Sequence, residues 1–157
     1  MKSATVQEIK QELINRKPTE LVELCLRLAK FKKENKELLT YLLFDSSDED
    51  NYVSEVKEEV DGLFKEINLS HLYFVKKSLR KILRIINKHS RYMNSKSAEA
   101  ELRLHYCQLI ADSGIPIEKN PVINNMYRGQ YKKVEEVVGS MHEDLQYEYI
   151  RRLKQLK

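Results

Sequence analysis

Residues 45–93 read DSSDEDNYVSEVKEEVDGLFKEINLSHLYFVKKSLRKILRIINKHSRYM, and this stretch decides the fold. Val53, Val56, Val60, Leu63 and Ile67 recur at alternating steps of three and four. After Asn68-Leu69-Ser70 the same rhythm resumes at Leu72, Val75, Leu79, Ile82 and Ile86 and runs on to His89 and Met93. That spacing lines each set along one face of a helix. The two segments carry opposite charge. From Asp45 to Glu66, nine acids face two lysines, a net −7, whereas from His71 to Met93 seven cations stand with no acid, a net +7. A short turn between two helices makes them antiparallel neighbours. The expectation is a charge-complementary helical hairpin whose apolar seams form the largest shared buried surface of the protein.

Working outward, the same rhythm marks helices on both sides. A first helix is expected from about Thr5 to Arg16, opened by a Thr5–Glu8 capping box and closed by Pro18. A second runs from Pro18 to about Lys32 and buries Leu21, Leu24, Cys25 and Leu28, with Asn35 capping the next. The third, Lys36 to Phe44, is apolar nearly all round, a pattern that belongs to a helix buried on several sides. Gly62 weakens the interior of helix four by about 1 kcal/mol relative to Ala, which close packing against a neighbour would explain. Ser70 is expected to cap helix five, with Leu69 and Phe74 as a hydrophobic staple. Helix six runs from Ala98 to about Ser113 and stops at Gly114. Asn120-Pro121 opens helix seven, which carries Tyr127, Tyr131, Val134 and Val138. Gly139-Ser140 breaks the pattern before helix eight, from Met141 to Lys157. The fold class is therefore all-α, with about eight helices in antiparallel hairpins over residues 1–157 as one domain, built as a compact bundle or a short HEAT-like array. Glu37-Leu38 with Tyr41, Glu101-Leu102 with Tyr106, and Asp144-Leu145 with Tyr149 hint at a repeat. Leu102 and Leu145 lie 43 residues apart, but Leu38 and Leu102 lie 64 apart, and only the first falls in the HEAT range of about 40–47.

Composition narrows the function classes. A chain of 157 residues with 41% hydrophobic and 33% charged residues suits a helical protein with well-solvated faces, and four glycines, three prolines and no tryptophan are too few turn-formers for a sandwich or barrel. Cys25 and Cys107 sit singly inside apolar helical patterns and are expected to be buried. There is no CxxC, and no HExxH, GxSxG, Walker or GxGxxG motif. The twice-repeated Glu-x-x-His of di-iron bundles is absent as well, so the expectation is no catalysis, no cofactor and no metal. Met1 to Lys17 has charges throughout and no apolar run, and Leu38 to Phe44 is too short to span a bilayer, which points to a cytoplasmic protein without a membrane partner.

The N-terminal hairpin, through Glu20-Leu21-Val22-Glu23-Leu24 and Asn35-Lys36-Glu37-Leu38 with Tyr41-Leu42, resembles a family of small, uncharacterised helical bacterial proteins. The resemblance implies a helical fold and no particular activity.

Two surfaces stand out as candidate sites. Lys77, Lys81, Arg84, Lys88 and Arg91 form one stripe along helix five, with Lys76 and Arg80 beside it and Tyr73 and Tyr92 near its ends, where they are placed to stack on bases. Neutralisation by the acids of helix four competes with that reading. Asn125, Tyr127, Arg128 and Tyr131, with Asn124, are residue types enriched at contact surfaces, unless the two tyrosines pack inward. The expected function is a non-enzymatic cytoplasmic module that binds a protein partner. The alternative is weak, sequence-independent nucleic-acid binding through residues 71–93, and the two are distinguished by whether the cations of helix five face solvent or helix four.

Overall fold

The computed structural model describes residues 1–156, and the protein is all-α. Eight α-helices and one π-helical turn account for the regular structure among the described residues, with no strand. The chain divides into two compact units, Met1–Phe44 and Asp45–Lys157.

The first unit holds α1 (Val6–Ile14), α2 (Pro18–Phe31) and α3 (Lys33–Thr40), followed by the π-helical turn Tyr41–Asp45 that leads into the second unit. The capping box at α1 is complete: the Thr5 amide donates to Glu8 at 2.7 Å, and the Thr5 hydroxyl accepts from the Glu8 amide at 3.3 Å. Pro18 opens α2 from its first turn. Asn35 lies inside α3 instead of capping it, and its Nδ2 donates to the Leu28 carbonyl at 2.9 Å, tying the end of α2 to its successor. α2 and α3 pack together as a hairpin. Helix three departs from expectation. Its α-helical part ends at Thr40, and Leu42, Leu43 and Phe44 are exposed, leaving Tyr41 as the one buried side chain of this unit.

The second unit holds α4 (Glu49–Lys65), α5 (Leu72–Met93), α6 (Lys96–Asp112), α7 (Pro121–Gly139) and α8 (Glu143–Lys154). The apolar periods of the hairpin are buried as their spacing requires: Val53, Val56 and Val60 on α4, and Val75, Leu79, Ile82 and Ile86 on α5. Each such side chain contributes roughly 1.5–3 kcal/mol on leaving water. The hairpin is not the largest interface, however. α6 packs most extensively on α7 and also lies against α4 and α5. Its buried residues, among them Ala98, Ala100, Leu102, Leu104, Tyr106, Cys107 and Ile110, fall on every side of the helix, so α6 is the centre of the unit. α8 closes the assembly through Tyr149 and Leu153, which join Ala100, Leu104, Val134 and Val138 in one cluster.

Local signals hold at several helix ends. Asp48 accepts from the Asn51 amide to cap α4, and Asn120 caps α7 through the amides of Val122 and Ile123. Asn94 takes a left-handed φ of 47° after α5, and Gly114 one of 71° after α6. Ser70 does not cap α5. It is turned back onto Asn68, whose side-chain oxygen accepts from both its amide and its hydroxyl, and His71 precedes the helix without a side-chain cap. Gly62 is exposed, and a β-carbon there would meet nothing within 4 Å, so close packing is not the reason for that glycine.

Candidate interaction surfaces

On α5, the core residues Val75, Leu79, Ile82 and Ile86 occupy one side, which sets Lys77, Lys81, Arg84, Lys88 and Arg91 on the opposite side at a 3.6-residue repeat. Lys77, Arg80, Lys81, Arg84 and Arg91 are exposed, and Lys76 and Lys88 are half-buried. Several carboxylates of α4 have partners other than the cations of this stripe. Asp61 pairs with His105 of α6 at 2.6 Å, and Glu49 accepts from Ser95 at 2.7 Å. Glu59 lies 3.7 Å from the Nε2 of His89, whose Nδ1 shares a 2.8 Å hydrogen bond with the Tyr52 hydroxyl. Lys77, Lys81, Arg84 and Arg91 of the stripe are therefore exposed to solvent, whereas Lys88 is half-buried. The aromatic flanks differ from each other: Tyr73 is 66% exposed, whereas Tyr92 is buried edge-on against His89 and cannot stack on an incoming base.

Two polar networks hold α6 in place, and the periodicity of its sequence gave no sign of them. Arg103 is 5% exposed. It binds Glu99 through Nε at 2.8 Å, Asn87 of α5 through Nη1 at 3.0 Å, and Gln130 of α7. A charge buried in this way is tolerable because its donors and its charge are met together. Glu101 receives Lys57 of α4 at 2.7 Å and both terminal nitrogens of Arg152 of α8, so a single carboxylate ties α4 and α8 to the central helix. Burial pushes the Glu101 carboxyl upward, but the hydrogen bonds and charges of Arg152 and Lys57 together outweigh it and hold the group at about 2. The signal that was available is position: Arg103 stands between Leu102 and Leu104 in a helix with apolar residues all round, where a cation needs partners.

Arg103 also borders an open cleft of about 580 Å³ between the end of α5 and the start of α6. Asn87, Ser90, Arg91, Asn94, Ser95, Lys96, Glu99 and Lys133 line the rest of it.

The Asn125–Tyr131 candidate resolves into packing. The Tyr127 hydroxyl donates to the Leu156 carbonyl at 3.0 Å and the Tyr131 hydroxyl to that of Leu153 at 3.3 Å, so both half-buried rings brace α7 against the C-terminal helix. Asn125 and Arg128 remain exposed, the latter bonded to Asn124 on its own helix.

The first unit presents the opposite chemistry to the stripe. Val6 on α1, Phe31 on α2 and Phe44 after α3 are 84%, 77% and 73% exposed, and Val22, Leu24, Leu26 and Leu28 are exposed along α2. Between α2 and α3 runs an apolar groove of about 300 Å³ lined by Cys25, Leu28, Ala29, Asn35, Leu38, Leu39 and Leu42. Cys25 is exposed there, contrary to expectation. Cys107 is buried, and burial pushes its thiol up to about 12. Among the described residues, no helix is long and apolar enough to cross a membrane, and no three His, Cys, Asp or Glu side chains gather as a metal site would require. No family model, no curated protein and no solved structure matches the chain.

Proposed function

We propose that this chain is a non-enzymatic protein–protein interaction module of the cytoplasm that holds its partner against the apolar faces of residues 1–44. One observation carries the reading: the three helices of this unit expose most of their large apolar side chains and bury none, and the one buried residue of the unit is Tyr41 in the π-helical turn. Apolar area of this kind costs free energy in water, about 25 cal/mol per Å², and concentrated patches of it mark interaction sites. The groove between α2 and α3 suits an amphipathic helix that inserts residues at steps of three and four. A short HEAT-like stack, as in small helical bacterial proteins, is an architecture that offers such grooves. The test is affinity capture with the full chain and with Leu28→Glu and Leu39→Glu. The partners of the wild type should be lost from both variants while α5-face variants retain them. An unchanged set of partners with both groove variants would end the proposal.

A second reading is supported by the solvent-facing cations of α5. Lys77, Lys81, Arg84 and Arg91, with Lys88, suit successive phosphates of a nucleic acid, bound weakly and without sequence preference. Filter binding at low salt should show retention, with a slope against log salt that flattens in Lys77→Ala/Lys81→Ala/Arg84→Ala. No retention at low salt would remove this reading.

A further inference from the structure

The apolar faces of residues 1–44 carry an inference about what covers them, and it rests on the reading just given for that surface. A helical unit of this size is marginal in water unless a disulfide, a metal or a second chain supports it. Cys25 is a free thiol, no group of metal-binding side chains gathers among the described residues, and α1, α2 and α3 contain no buried residue. That leaves a second chain, and the area present is the right size for one. Twelve Val, Ile, Leu and Phe side chains of the unit are between 38% and 84% exposed. At about 60–120 Å² for full burial of such a side chain, they hold about 400–900 Å² of removable apolar surface. One side of a standard homodimer interface buries about 800 Å², of which about 500 Å² is apolar.

The chemistry of the surface favours a copy of itself over a transient partner. Contacts that form and dissolve are gripped by Tyr, Trp, Arg and Met, whereas a lasting homodimer interface resembles a domain core cut in half. Apart from Met1, the exposed large apolar residues of this unit are Val, Ile, Leu and Phe, and its single tyrosine, Tyr41, is buried. The face of α2 that borders the groove is also self-complementary. Leu21, Val22, Cys25, Leu28 and Ala29 lie on one side of the helix, spaced evenly about Cys25. Where two such helices cross antiparallel at Cys25, Leu21 meets Ala29 of the partner subunit, Val22 meets Leu28 of the partner subunit, and a small thiol sits at the crossing. Leu38, Leu39 and Leu42 supply the other wall of the groove. Residues 1–44 carry nine cations and six acids, a net +3, too little like charge to oppose the pairing.

We propose that the occupant of this surface is a second copy of the chain. Two α2–α3 hairpins pack antiparallel about a two-fold axis at Cys25 and close into a four-helix bundle, an isologous contact that ends at the dimer.

The test is sedimentation equilibrium of the full chain over a wide range of concentration, with thiol labelling alongside and circular dichroism to show that each variant is folded. The wild type should pass from monomer in dilute solution to dimer and stop there. Leu28→Glu and Leu39→Glu should each weaken the dimer by about a hundredfold or more, because a carboxylate in an apolar contact costs about a factor of ten and two-fold symmetry places it there twice. Tyr147→Glu puts the same carboxylate at an exposed position of α8 and should change the dimer by less than about twofold. Cys25 should be labelled fast in the free chain and more slowly as the wild type dimerises, while its rate in Leu39→Glu stays independent of concentration. A chain that remains monomeric at every concentration overturns the dimer, yet leaves the interaction reading standing if Leu28→Glu and Leu39→Glu still lose a captured partner. A dimer that survives both groove variants, growth beyond the dimer, or Cys25 labelling indifferent to dimer formation overturns it as well.

Discussion

Replacing Glu101 by Gln perturbs the point where α4, α6 and α8 are joined. The wild-type carboxyl is held at about 2 against an ordinary value of 4.5. At neutral pH that difference corresponds to on the order of 3 kcal/mol of folding free energy. The carboxylate is about one-fifth exposed and its partners Lys57 and Arg152 about one-third, so solvent screens part of this and a loss of about 2–3 kcal/mol is expected. The sign in pH follows from the direction. A carboxyl whose pKa is depressed by folding stabilises the protein fully above about 4.5, and that contribution fades as pH falls towards 2. Urea titrations of both proteins at pH 7, 5, 4 and 3 should therefore show curves far apart at pH 7 and converging at pH 3. A gap below 0.5 kcal/mol at pH 7, or one of constant size down to pH 3, would refute the assignment of Glu101 as the joint.

Three further outcomes are expected. Ile82→Ala should cost about 2–5 kcal/mol in urea titration, since the side chain is 1% exposed and its loss leaves a cavity. Gly62→Ala should stabilise the protein by up to about 1 kcal/mol, visible as a raised melting temperature, because a methyl there meets open space inside a helix. Under native conditions a thiol reagent should label Cys25 rapidly and Cys107 only after denaturation, as their exposure and the raised pKa of Cys107 require.

The seams of α4 and α5 could be read from the sequence because a side chain with apolar neighbours at steps of three and four has one face to bury and one place to put it. Asn120-Pro121 and Gly114 were legible for the same local reason. The first unit was not. Periodicity shows which of Leu21, Leu24 and Leu28 share a face, but whether that face is covered is a long-range fact, and Leu28, Cys25 and Phe44 are exposed. Nor did the opposite charges of residues 45–66 and 71–93 determine who pairs with whom. Asp61 reaches His105 and Glu101 reaches Lys57 because α6, distant in sequence, packs against α4 as α5 does. The hub at Arg103 and the cleft beside it draw on three helices at once and appear in no single window of the chain.

The charge on α4 and α5 is segregated rather than cancelled, and this matters before any contact is made. A net charge of +4 suggests a nearly isotropic particle. Yet a net −7 over residues 45–66 and a net +7 over residues 71–93 sit side by side in one compact unit, which gives that unit a large dipole moment across the hairpin. In the field of a charged partner such a body turns before it collides, and the fraction of encounters that begin in the right orientation rises. Added salt would then slow association through lost alignment, even for a partner whose final grip on the protein is wholly apolar.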